Sequence, residues 1–193
     1  LDCMATNEKY SFSTPELRDE IRHSFWLLNR VASAKALERL LKKHDVFKEY
    51  TVVLAAGDGK TEDDTDSVAA DKALNRVRAA IAHAEASGGK TITLSVGQLT
   101  TGVTVPEWTA VIMLSDLASP ALYMQAAFRA QNPCTFERGG LVFQKQNAYI
   151  FDFAPERTLT IFDAFANNLH ANPSGDPGVR RENIRTLLNF FPV

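Results

Sequence analysis

The sequence predicts an α/β fold: a mostly parallel sheet with helices on both faces. Three observations carry this. Short apolar runs at His23–Leu28, Tyr50–Ala55, Thr91–Ser95 and Thr109–Leu114 show little polar alternation, as strands buried on both faces do. Segments of helical period separate most of them at the spacing of βα units. The composition, 45% hydrophobic and 23% charged over 193 residues, suits a chain able to bury one sizeable core.

The elements follow in order. Residues 1–20 are polar and mixed, and are expected to be an N-terminal extension or the remnant of a linker from a preceding domain. Within them Thr14-Pro15-Glu16 gives a helix start, with Thr as cap and Pro at the first helical position. His23–Leu28 is the first strand, ended by Asn29-Arg30. From Val31 to Lys43 the period is helical. Val31, Ala34, Leu37, Leu40 and Leu41 form the inner stripe, and Lys35, Glu38, Arg39, Lys42 and Lys43 the solvated face. Tyr50–Ala55 is a strand closed by a turn at Gly57-Asp58-Gly59, and residues 60–68 form an acidic loop.

Residues 69–86 are a helix with Leu74, Val77 and Ile81 inward, stopped by Ser87-Gly88-Gly89. The strands Thr91–Ser95 and Thr109–Leu114 flank a loop that runs to Pro106. Ser119 and Pro120 open a helix to about Gln131, and Pro133 limits its continuation. Leu141–Phe143 and Ala148–Phe153 read as two strands of a hairpin. Pro155 to Leu169 is a helix, residues 171–178 a loop, and Arg181 to Phe191 a short final helix. Residues 21–170 are thus expected to be one domain, and 171–193 a linker with a C-terminal helix.

Charge and composition exclude several classes. A net charge of -2 excludes a generally basic nucleic-acid coat, so any such contact must be local. No apolar run approaches the ~18 residues of a membrane span, so no membrane partner is expected. Cys3 and Cys134 have no metal or redox spacing, which suits a reduced, cytoplasmic setting. His23, His44, His83 and His170 have no partner at ligand spacing, so no metal site is expected. The chain opens Leu1-Asp2-Cys3, with neither an initiator methionine nor a signal peptide. It is therefore expected to be an excised piece of a longer protein.

In sheets of this kind, function sits on loops at the carboxyl ends of strands. One such loop ends Gly59-Lys60-Thr61, similar to a phosphate loop. That motif needs a glycine five residues before the second one, and Leu54 stands there, inside a strand. The following Glu62-Asp63-Asp64 repels phosphate. A surface turn is the better reading, and the chain alone is expected not to hydrolyse ATP by phosphate-loop chemistry.

Two other segments belong together. Leu94–Pro106 carries Thr100-Thr101-Gly102-Val103-Thr104-Val105-Pro106 after a strand. Tyr123–Gln131 carries Gln125 and Arg129 four residues apart, on one face of a helix. Hydroxyls at Thr100 and Thr101, with a bare backbone at Gly102, can approach phosphates closely without reading bases.

Here the sequence resembles the second motor domain of superfamily 2 helicases and translocases, over roughly residues 20–170. The likeness is to the DEAD/DEAH-type motor subunits of restriction enzymes, which have a Thr-Gly-Phe-Asp-x-Pro-like loop (motif V) followed by a Gln-x-x-x-Arg helix (motif VI). Residues 24–43 resemble their motif IV.

The resemblance implies a RecA-like sheet. It implies that Arg129, with Gln125, reaches the ATP γ-phosphate as an arginine finger, and that Thr100, Thr101 and Gly102 grip a nucleic-acid backbone. It places Thr104 and Arg129 at the nucleotide. Apart from the resemblance, Arg30 is a candidate DNA-backbone contact, set against an ordinary solvated loop charge, and Asp116, at the end of a strand, is a weak functional candidate of no assigned role. ATP and Mg2+ would be held mainly by a missing N-terminal motor domain of the same chain. The implied partners are DNA, with RNA left open, and nuclease or methylase and specificity modules.

Three positions depart from the family pattern: Thr104 replaces an acidic residue, Phe128 a glycine, and Asn132 a second arginine. Two other functions stay open: a stand-alone nucleotide- or small-molecule-binding domain, and a non-catalytic interaction module derived from a motor domain.

Overall fold

The structure is a computed structural model; it describes residues 1–7, 12–55, 66–97, 99, 103–169 and 173–188. Its centre is a five-stranded sheet with strand order β2-β3-β1-β4-β7. The strands are β1 (His23–Leu27), β2 (Tyr50–Ala55), β3 (Lys90–Ser95), β4 (Ala110–Met113) and β7 (Tyr149–Asp152). β1 runs parallel to β3 and to β4, and β2 runs parallel to β3. The expected mostly parallel α/β sheet is therefore present.

Parallel register places Trp26 beside Leu94 and Ile112, and Phe25 beside Thr93 and Val111. Alternate residues then feed two faces. On one face Trp26, Leu28, Ile92, Leu94, Ala110 and Ile112 join Ala34 and Leu41 of helix α3 (Val31–Leu41) in the main core. On the other, Phe25 stacks at a tilt on Trp108, with ring centroids 4.6 Å apart. There His23 also meets Glu85 of α4 (Asp66–Ser87). Each face thus has its own helix. Trp26 and Trp108 are fully buried core anchors, and their indole N–H groups donate to Ser24 Oγ and Thr93 Oγ1.

Residues 1–20 form α1 (Asp2–Thr6) and α2 (Pro15–Glu20) and supply Met4, Ala5 and Phe12 to the core. The Thr14 hydroxyl accepts from Leu17 N at 3.2 Å, the N-cap read from the sequence. At the end of α4, Gly88 takes φ +72 and Gly89 N donates to Ala84 O at 2.7 Å, so the glycines stop the helix as expected.

Several expectations need correction. Leu40 does not join the inner stripe of α3; it is 58% exposed, because Ala34, Leu37 and Leu41 already complete the face against the core. Leu141–Phe143 does not pair with 148–153. β6 (Leu141–Gln144) pairs antiparallel with β5 (Thr135–Arg138), and β7 joins the main sheet beside β4. The reason is the two-residue turn Gly139-Gly140, with φ +59 and +77: two left-handed residues match the twist of a tight hairpin. The helix opened by Pro120 is α only to Ala127 (α5, Pro120–Ala127). Residues Phe128–Gln131 tighten to a 3-10 turn before Pro133, which holds Asn132 extended. The last helix is α7 (Pro177–Leu188), starting four residues earlier than Arg181. The turn at 57–59 and the loop 60–65 lie outside the described residues.

The chain divides into two compact units. One comprises residues 1–116 and 126–151, and the other 117–125 and 152–193. In the second unit α6 (Pro155–Asn168) packs on α7. Tyr123 meets Phe162 edge to face at 6.3 Å, Arg180 pairs with Asp163, and Asn183 Nδ2 donates to Asn167 Oδ1 at 3.3 Å. Among the described residues no helix is long and apolar enough to cross a membrane.

Candidate functional site

The carboxyl ends of β1, β3 and β4 lie side by side. Backbone bonds carry the pairing just past the strands, from Leu28 N to Ser95 O at 2.8 Å and from Leu114 N to Leu27 O at 2.9 Å. Asn29 Oδ1 then accepts from Asp116 N at 2.9 Å, tying the loop after β1 to the loop after β4. Both Asn29 and Asp116 are exposed. Arg30 is exposed too and stands at the N-cap of α3, with no side-chain cap bond.

The loop after β3 begins with Gly97 at φ +76 and is then pinned by Leu99. Leu99 is buried although its φ is +61, a conformation that costs a leucine on the order of 1–2 kcal/mol. Burial of the side chain offsets that strain, and the backbone there is held rather than relaxed. The far side of the loop is anchored by buried Val105 and Trp108. Between the two anchors stand Thr100, Thr101 and Gly102, which lie outside the described residues. Thr104 is exposed.

Two guanidinium groups hold the carbonyls that follow. Arg129 Nη1 donates to Val103 O, and Arg78 Nη2 of α4 donates to Thr104 O at 3.4 Å. The structure therefore brings the arginine of the second motif against the loop of the first. Arg129 is half-buried, and burial lowers its proton affinity; arginine stays charged nonetheless. It stands in the 3-10 turn Phe128–Gln131 that directly follows α5, the helix that carries Gln125. Gln125 itself is exposed on α5.

The basic face of α3 is solvated. Lys35, Arg39, Lys42 and Lys43 are exposed, with Lys42 paired to Glu38 at 2.7 Å. Among the described residues no group of three His, Cys, Asp or Glu side chains could hold a metal ion.

Three features were not read from the sequence. Lys145 donates to three backbone carbonyls, those of Pro106, Trp108 and Ala130. Arg78 grips the loop at Thr104. The third feature lies where β1 and β3 begin. Buried His23 meets Thr91 Oγ1 at 2.9 Å and Glu85 Oε1 at 2.7 Å. Arg138 of β5 clamps the same carboxylate with two bonds of 2.9 Å. Burial alone would raise Glu85, but the bonds from His23 and Arg138 prevail and hold it at about 2. His23 thus does have a carboxylate partner, remote in sequence, in an ion-pair cluster. None of these three features has a local motif that announces it.

No protein-family model matches the chain. It is 28% identical over 202 residues to the putative type II restriction enzyme and methyltransferase RM.MpnORF110P C-terminus of Mycoplasma pneumoniae. That alignment takes in 100% of this chain and 26% of the relative, so the chain spans about a quarter of that protein's length. Among solved structures it is similar to the C-terminal domain of the DEAD-box protein Dbp5, with a TM-score of 0.46 and 16% identity, over 88% of this chain and 83% of that one. It is also similar to the C-terminal part of the Fun30 ATPase domain, with a TM-score of 0.45 and 14% identity, over 91% of this chain and 50% of that one. The mostly parallel α/β sheet is consistent with a RecA-like fold.

Proposed function

We propose that this chain is the second motor half of an ATP-dependent DNA helicase or translocase belonging to a restriction-modification system. The observation that carries the reading is the bond from Arg129 to Val103 O, which joins the arginine turn to the loop bearing Thr100, Thr101 and Gly102. In a motor, nucleic acid on that loop and nucleotide at the arginine must sense one another. The relative named as a restriction enzyme and methyltransferase supports the restriction setting.

Arg129 would be the arginine finger. A guanidinium has five N–H donors in a fixed fork, which suits a polyphosphate. Gln125 and Thr104 would face the nucleotide with it. Thr100, Thr101 and Gly102, with Arg30 at the head of α3, would hold the DNA backbone through hydroxyls, amides and one charge. ATP and Mg2+ would be bound mainly by an N-terminal motor domain of the same protein; bound Mg2+ would supply charge neutralisation on the phosphates. The setting is cytoplasmic, and nuclease or methylase modules are the expected neighbours.

A non-catalytic module is the second reading, favoured by one observation: the Arg129 guanidinium is bonded within its own domain. ATP turnover of the full-length protein with and without DNA separates the two. The motor reading expects stimulation by DNA that weakens in Thr100→Ala/Thr101→Ala. A full-length protein without ATPase activity would support the interaction module instead.

A further inference from the structure

Lys145 follows β6, and its backbone N donates to Cys134 O at 2.8 Å, which fixes where the side chain starts. Its Nζ donates to Pro106 O at 2.7 Å, Ala130 O at 2.8 Å and Trp108 O at 3.1 Å. An ammonium has three N–H donors, and here three carbonyls take them. This is not how a surface lysine is spent; a solvated lysine keeps its head in water. The group is half-buried, and burial lowers its proton affinity while Glu107 works the other way.

The three carbonyls belong to two different segments. Pro106 and Trp108 close the strand-end loop, and Ala130 is the neighbour of Arg129 in the 3-10 turn. Arg129 already binds the same loop at Val103. Loop and turn are therefore tied at two points, and Trp108 is itself fixed by burial and by its bond to Thr93. The turn is thus held against the loop at its Val103 end by Arg129 and at its Pro106–Trp108 end by Lys145.

We propose that Lys145 is a positioning residue that couples the nucleic-acid loop to the arginine turn, so that DNA on the loop is felt at Arg129. This rests on the motor reading. A purely structural staple would lower stability and scale all activities together. A coupling residue instead moves the ratio of DNA-stimulated to DNA-free turnover.

The test uses the full-length protein and duplex or single-stranded DNA. In Lys145→Met, three carbonyls lose their donor. The DNA-stimulated kcat should fall about tenfold or more, while the DNA-free kcat and the KM for ATP stay within about threefold. Lys145→Arg keeps the charge but offers a planar fork to three converging carbonyls. It is expected to keep the fold and still lose the stimulation, so it serves if Lys145→Met does not fold. An unchanged stimulation ratio in either folded variant overturns the coupling role, as does a uniform loss of stimulated and DNA-free turnover. Absence of DNA-stimulated turnover in the unsubstituted protein overturns the motor reading itself, a distinguishable result.

Discussion

Two side chains show how single residues set this structure. Glu85 is held at about 2, against an ordinary value of 4.5, by His23 and Arg138. A depressed carboxylate adds stability that is present above 4.5 and is lost as pH falls through about 2. Glu85→Gln should therefore flatten the acid limb of a Tm-against-pH curve within that window; an unaltered limb would place the acid lability elsewhere. Leu99 offers a different test, because its backbone is left-handed and its side chain buried. Leu99→Ala should cost about 2–5 kcal/mol in urea unfolding. Leu99→Gly should be at least as stable as the alanine variant, the reverse of the ordinary order, because glycine accepts φ +61 without strain.

Sequence patterns exposed these residues unevenly. The apolar runs announced β1 and β3, but nothing local links His23 to Glu85, which is 62 positions away. Lys145 is equally silent, since it acts through backbone carbonyls that any residue could supply. Arg129 was singled out because it stands four residues after Gln125, as in the motif VI helix that the sequence resembles.

At the scale of elements, the parallel strands were legible because each is a short, apolar-rich run set between helical segments at βα spacing. β5 was not, because Thr135–Arg138 is short and polar at all but Phe136, so β6 was read as a strand but given the wrong partner. The cue was present in Gly139-Gly140, which selects a tight hairpin. Replacing Gly140 by alanine should cost about 1–2 kcal/mol, since φ is +77. Amide exchange in β5 and β6 should rise before that in β1 and β3 does. Equal protection in the variant would contradict the turn assignment. The end of α5 carries a similar lesson: Pro133 announced a limit, but not that Phe128–Gln131, with Arg129, would tighten to a 3-10 turn.

At the scale of the molecule, the sheet order was hidden, because pairing of β1 between β3 and β4 depends on chain crossings rather than on any one strand. The loop that is central to the proposal is built at its edges, by Leu99 on one side and by Val105 and Trp108 on the other. Its tie to Arg129 is the central claim. That claim is tested most directly by ATP turnover in the full-length protein carrying Arg129→Ala. With the protein folded and ATP saturating, the finger role predicts a fall in kcat of about 10³-fold or more, not restored by Arg129→Lys. Turnover near that of the unsubstituted protein would contradict it.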